Sequence, residues 1–241
     1  MQTQDVMIPV GGKQMPSFLA RPDGDDPRPA VIVLQEIFGV NREVRRIAEL
    51  LAGAGYVALA INYYYRTHPS LNEPYTQDGL KRGREAAGAV TKASIREDVA
   101  AAVAWLEGQP FVKTGKVATI GFCFGGSMAV VTATLSGLSG AISFYGAQTA
   151  RGLASGEQIL SDANEFRVPL LLFYGGKDES IPPEAIAKVD AALKAAKVSH
   201  EIVVYPDLDH AFFRESSQKL DVEEIKDAWE RVQAFLKKHL G

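Results

Sequence analysis

The chain has 241 residues, 46% hydrophobic and 23% charged, which is enough apolar material for one large core and too much for a disordered polymer. Lys and Arg number 26 against 29 Asp and Glu, a formal net charge of -3, so no basic excess points to nucleic acid or an anionic membrane surface. No apolar run reaches the roughly 18 residues of a membrane helix, and residues 1–12 lack the basic-then-apolar pattern of a secretion signal. The single cysteine, Cys123, excludes internal disulfides and a zinc site built on several thiolates. The expectation is one soluble, cytoplasmic domain over residues 1–241 that acts on small molecules.

Residues 6–10 and 17–20 flank Gly11-Gly12-Lys13, a turn signal that predicts an antiparallel hairpin at a sheet edge. Residues 21–29, rich in Pro, Gly and Asp, read as a loop. A strand at 30–35, a helix at 43–54 and a strand at 56–61 follow at βαβ spacing. Ser94 three residues before Glu97 reads as a capping box; Val99, Val103 and Leu106 then recur on one helical face until Gly108 and Pro110. Strands at 116–120, 141–145, 168–174 and 200–205 alternate with helices at 124–135, from Pro182-Pro183 to about Ala196, and from about Ser217 to Leu240. The pattern predicts an α/β fold: a mostly parallel central sheet, an N-terminal antiparallel edge hairpin and helices on both faces. Residues 62–79, with three successive tyrosines, and 148–167 are too long for βα connections and are expected to be functional or locally structured.

Gly121-Phe122-Cys123-Phe124-Gly125-Gly126 lies where a strand meets a helix and has the form of a nucleophile elbow, G-x-S-x-G, with sulfur for the hydroxyl. So sharp a turn brings chain close on both sides of the nucleophile, so the flanking positions must lack side chains. It also points the side chain over a helix N-terminus, where free N–H groups favour an anion. Read alone, Cys123 could be a small buried hydrophobe; the flanking glycines argue for a nucleophile.

Such a nucleophile needs a base and an acid that orients the base, in the chain order nucleophile, acid, histidine. Of the four histidines, His210 alone follows the last strand in a polar loop, Asp207-Leu208-Asp209-His210, at the edge where the elbow opens. Gly175-Gly176-Lys177-Asp178 offers Asp178 after the preceding strand, with Asp209 and Glu179 as rivals. No metal or organic cofactor is indicated, because the histidines lack ligand spacing and the glycine-rich turn lacks the Lys-Ser/Thr ending of a phosphate loop.

From about residue 29 to 214 the chain resembles the dienelactone hydrolases of the α/β-hydrolase superfamily. The resemblance is carried by Gln35-Glu36-Ile37-Phe38-Gly39-Val40-Asn41, the cysteine elbow, Tyr145-Gly146, and Gly175 to Asp178 followed by His210. It implies a cysteine-dependent hydrolase of esters or lactones, of carboxymethylenebutenolidase type, working through Cys123, His210 and Asp178 and an acyl thioester. It further implies that Glu36 contacts the resting thiol and that the N–H groups of Ile37 and Phe124 hold the oxyanion. Tyr145 is assigned to substrate binding, and Arg214, four residues after His210, to a substrate carboxylate. A second basic residue of the family falls at Lys81 when counted without gaps, with Arg82 and Arg84 in competition, and Ala211 replaces a hydroxyl residue. Physics adds one expectation: two unit charges about 4 Å apart repel by about 4 kcal/mol at an effective dielectric of about 20, so Glu36 and Cys123 should titrate as a pair with one member ionised. The alternatives are a general carboxylesterase acting on neutral esters and, from another class, a noncatalytic binding protein that retains the fold.

Overall fold

The computed structural model describes residues 1–214 and 222–241. Strands β1 (Gln2–Val10), β2 (Lys13–Arg21), β3 (Arg28–Leu34), β4 (Val57–Ile61), β5 (Val112–Phe122), β6 (Ala141–Phe144), β7 (Leu170–Gly175) and β8 (His200–Tyr205) form one sheet in the order β1-β2-β4-β3-β5-β6-β7-β8. β2 runs antiparallel to β1 and β4, and every other pairing is parallel. The runs that show no polar alternation, β4, β6 and β7 among them, are buried throughout, as strands covered on both faces must be.

The hairpin turns at Gly11 and Gly12, with φ of 54° and 79°, the paired left-handed conformation a two-residue turn demands. Its ladder continues to Gln2 opposite Arg21, beyond the residues the hydrophobic pattern marked. Residues 2–5 are exposed, so no apolar alternation signals them.

Helices cover both faces. On one, Thr119 of β5 meets Thr132 of α4 (Phe124–Thr132) through their hydroxyls at 3.1 Å. On the other, the Phe122 ring stacks on Phe213 at 5.9 Å, and Phe213 packs on Trp229 of α7 (Glu223–Leu240). α1 (Arg42–Gly53) lies on this second face, where Val44 and Ile47 line a small internal pocket with Phe122 and Phe213. Asn41 caps α1 by accepting from the Glu43 and Val44 N–H groups. The last helix is described from Glu223; residues 217–221 of its expected range lie outside the described residues.

α3 (Lys92–Glu107) starts earlier than Ser94 suggested. Its N-cap is Thr91, and the reciprocal pair is Thr91 with Ser94, so Ser94 stands at the third helical position. The segment after β4 holds α2 (Gln77–Gly88), capped by Thr76. The one after β6 holds α5 (Gln148–Arg151) and a 3-10 turn at Leu160–Glu165. α3 pins both: its buried Asp98 accepts from Arg66 and Tyr65, while Lys92 and Arg96 pair with Asp162. α6 (Pro183–Ala195) opens at the Pro182-Pro183 pair. Among the described residues no helix is long and apolar enough to cross a membrane.

Candidate active site

The parallel strands end on a common edge, and a polar or nucleophilic residue follows each of five of them: Glu36 after β3, Cys123 after β5, Tyr145 after β6, Asp178 after β7 and His210 after β8. Ligands and chemistry gather at such carboxyl ends in open α/β sheets.

Cys123 has φ 54° and ψ -117°, a strained conformation for a residue with a side chain. Its N–H donates to Phe144 O at 3.0 Å, and its carbonyl starts α4. Glycine makes the turn possible. A Cβ on Gly121 would lie 1.9 Å from Gly125 O, and one on Gly125 would lie 2.2 Å from Leu34 O.

Cys123 Sγ lies 3.3 Å from His210 Nε2, and His210 Nδ1 lies 2.6 Å from Asp178 Oδ2. The other carboxylate oxygen of Asp178 accepts from the Ser180 N–H at 2.8 Å and from the Ser180 hydroxyl at 2.5 Å. Asp209 instead accepts from the His210 N–H, and Glu179 is exposed, which leaves Asp178 as the acid on the imidazole. Burial pushes Asp178 up, but the hydrogen bonds from His210 and Ser180 outweigh it and hold the carboxyl below its usual range. Burial likewise pushes His210 down, yet hydrogen bonds to Asp178 and Cys123, with the charges behind them, raise the imidazole to about 10.

Glu36 differs from the expectation. It is 2% exposed and turned to Arg214 and Tyr75, while the hydrogen-bond partner of the thiol is His210. Arg214 Nε lies 3.0 Å from both Glu36 oxygens, Nη2 lies 2.9 Å from Oε1, and the Tyr75 hydroxyl donates to Oε2 at 2.8 Å. In a buried place a full opposite charge with forked geometry compensates a carboxylate better than a thiol can. Arg214 in turn stacks 4.0 Å over the Tyr75 ring, and Glu36 raises its pKa further above the usual arginine range against the lowering effect of burial.

Tyr145, 1% exposed and with φ 41°, packs its ring 5.1 Å from that of His210. Phe124 directly follows Cys123 and Ile37 directly follows Glu36. Among the described residues neither of their N–H groups donates a hydrogen bond. Lys81 is not brought to this group: it is exposed on the side of α2 opposite Gly79, Gly83, Ala86 and Ala87, which face the protein. Arg82 pairs with Glu73 at 2.5 Å, and Arg84 is exposed. The helix turns Gly83 inward because only glycine fits there; a Cβ would lie 2.4 Å from Ile37 O.

Sequence reasoning missed Tyr75 and Ser180. Ser180 had a local signal, a hydroxyl two residues after the acid; Tyr75 had none beyond its place in a long loop. The Tyr63-Tyr64-Tyr65 run is buried packing, with the Tyr63 hydroxyl donating to Gln35 O at 2.6 Å. Among the described residues no group of three or more His, Cys, Asp and Glu is disposed to hold a metal ion.

Known proteins resemble this chain over nearly its whole length. The model of the family described as "Dienelactone hydrolase family" matches residues 15–240. A Synechocystis protein named "Putative carboxymethylenebutenolidase" is 36% identical over 100% of this chain and 98% of its own length. An Escherichia coli protein of the same name is 33% identical over 97% of this chain and 86% of its own. The crystal structure titled "Putative Dienelactone Hydrolase" from Klebsiella pneumoniae superposes with a TM-score of 0.86 at 33% identity, covering 98% of each chain. A dienelactone hydrolase-like promiscuous phosphotriesterase from metagenomic libraries shares the fold, with a TM-score of 0.82 at 23% identity, covering 100% of this chain and 99% of its own. With an intact cysteine elbow and a family match over nearly its whole length, the chain belongs to the dienelactone hydrolase family.

Proposed function

We propose that the protein hydrolyses carboxylic esters or lactones through a Cys123 nucleophile, with His210 carrying the proton and Asp178 orienting His210. The observation that carries this reading is the unbroken line from Sγ through the imidazole to the carboxylate, at 3.3 Å and 2.6 Å, on a strained elbow. The imidazole, raised to about 10, takes the Cys123 proton, so that a thiolate beside an imidazolium is the attacking form. The thiolate attacks the acyl carbonyl, and the N–H groups of Phe124 and Ile37 take the developing oxyanion; such a donor is worth roughly 3–4 kcal/mol to the transition state. The intermediate collapses by breaking the bond to the alkoxide or enolate, which takes the proton from His210 Nε2. The neutral imidazole, held by Asp178, then deprotonates a water that attacks the thioester, and the departing thiolate and imidazolium restore the starting pair. Tyr145, buried beside the imidazole, backs the His210 ring and does not face an open surface.

In the family reading, Arg214 receives a carboxylate on the substrate. A second reading, hydrolysis of neutral esters, is favoured by one observation: Glu36 already neutralises the Arg214 guanidinium. Steady-state hydrolysis of a neutral aryl ester and of a carboxylated lactone by Cys123→Ala tests the nucleophile. Both activities should fall at least about a thousandfold with the fold retained. Turnover that survives the change removes Cys123 from the chemistry.

A further inference from the structure

Tyr75 reaches the site from a segment docked firmly on the loop after β3 that carries Glu36. The Glu73 N–H donates to Phe38 O at 2.9 Å, Gly39 and Asn72 form an antiparallel bridge, and the Tyr75 ring meets Phe38 edge-on at 4.8 Å. From this platform the Tyr75 hydroxyl takes Oε2 of Glu36 while its ring lies under the Arg214 guanidinium. The carboxylate is therefore held from two sides, by the arginine fork and by the phenol. Burial, with Glu36 beside it, raises the phenol far above its usual range, so the hydroxyl remains a donor at any pH at which the enzyme works.

A guanidinium so paired offers little to a second anion, because the incoming carboxylate must first displace Glu36 and take its place in the fork. A neutral acyl group faces no such requirement. Resting on the ester-hydrolase reading, we propose that Tyr75 is a positioning residue that sets which substrate charge the site accepts: its hydroxyl latches Glu36 onto Arg214, favouring neutral acyl groups over anionic ones. The latch arises from a loop tyrosine and not from the elbow, the histidine or the arginine themselves.

The test compares Tyr75→Phe with the parent enzyme. Phenylalanine keeps the ring under Arg214 and deletes only the donor. The substrates are 4-nitrophenyl butanoate and singly charged 4-nitrophenyl hemisuccinate, which share a leaving group and chain length. The ratio of kcat/KM for hemisuccinate to that for butanoate should rise about tenfold, in line with the loss of one hydrogen bond to a charged group, and the change should lie in KM. Titration calorimetry with succinate, which needs no turnover, should show its Kd falling by a similar factor. Both gains should vanish in an Arg214→Gln background, where there is no cation for the anion to win, and in Glu36→Gln, where there is no carboxylate to latch. A ratio and a succinate Kd that stay unchanged or move the other way in a folded Tyr75→Phe protein overturn the latch. So does an equal gain in the Glu36→Gln background. Ester turnover that survives Cys123→Ala strikes the ester-hydrolase reading instead, and the succinate titration still decides the role of Tyr75.

Discussion

Glu36 and Arg214, 178 residues apart in the chain, form a forked ion pair in which Arg214 Nε lies 3.0 Å from each carboxylate oxygen. The two partners are unequally buried, with the side chains 2% and 15% exposed respectively. Removing the arginine strands a carboxylate out of water; removing the glutamate leaves a guanidinium that still lies over the Tyr75 and Phe38 rings. Arg214→Gln is therefore expected to destabilise the fold by about 3–5 kcal/mol at neutral pH, and Glu36→Gln by clearly less. The double variant should recover part of the Arg214→Gln loss. Urea unfolding of the three variants checks the order, and equal losses for the two single changes would contradict it.

In the proposed reaction the imidazole must be protonated to release the alcohol, and its pKa of about 10 is held up against burial by Asp178 and Cys123. Acylation should accordingly be lost as the pH rises through about 10. Asp178→Asn withdraws one of the charges that raise the imidazole, so the alkaline limb should move to lower pH by at least about one unit. A pH profile of single-turnover acylation measures the limb in both proteins; an unmoved or more alkaline limb in Asp178→Asn contradicts the assignment of Asp178 to His210.

Gly125 is where the elbow passes under β3: a Cβ there would lie 2.2 Å from Leu34 O and 2.4 Å from Gln35 O. Both neighbours are backbone and cannot swing away. Gly125→Ala should either shift the turn that presents Phe124 N–H, with a large fall in kcat, or abolish soluble expression. A crystal structure with an undisturbed turn and parent-like kcat would show that the crowding is not what fixes the elbow.

How much of this was legible in the sequence depended on how local each cause is. The elbow was legible because its steric demand falls on glycines two residues either side of Cys123. Asp178 could be preferred to Asp209 because strand order places the loop after β7 beside the loop after β8. α3 starts at Lys92 and not after Ser94: Ser94 with Glu97 and Thr91 with Ser94 are equally good local patterns, and only the backbone decides which residue lies outside the helix. The pairing of Glu36 with Arg214 in place of the thiol had no local signal at all. It depends on Tyr75, Phe38 and the docked segment between them, brought together from distant parts of the chain. Lys81 was placed by counting along the chain, which is blind to the turn of α2 that Gly83 fixes against Ile37.

The most direct test of the central claim is rapid-quench mass spectrometry of the protein during turnover of a 4-nitrophenyl ester. An acyl group should accumulate on the peptide containing Cys123, form at the rate of the nitrophenolate burst and decay at the steady-state rate. An acyl group on any other residue, or a burst with none on Cys123, would contradict the thioester route.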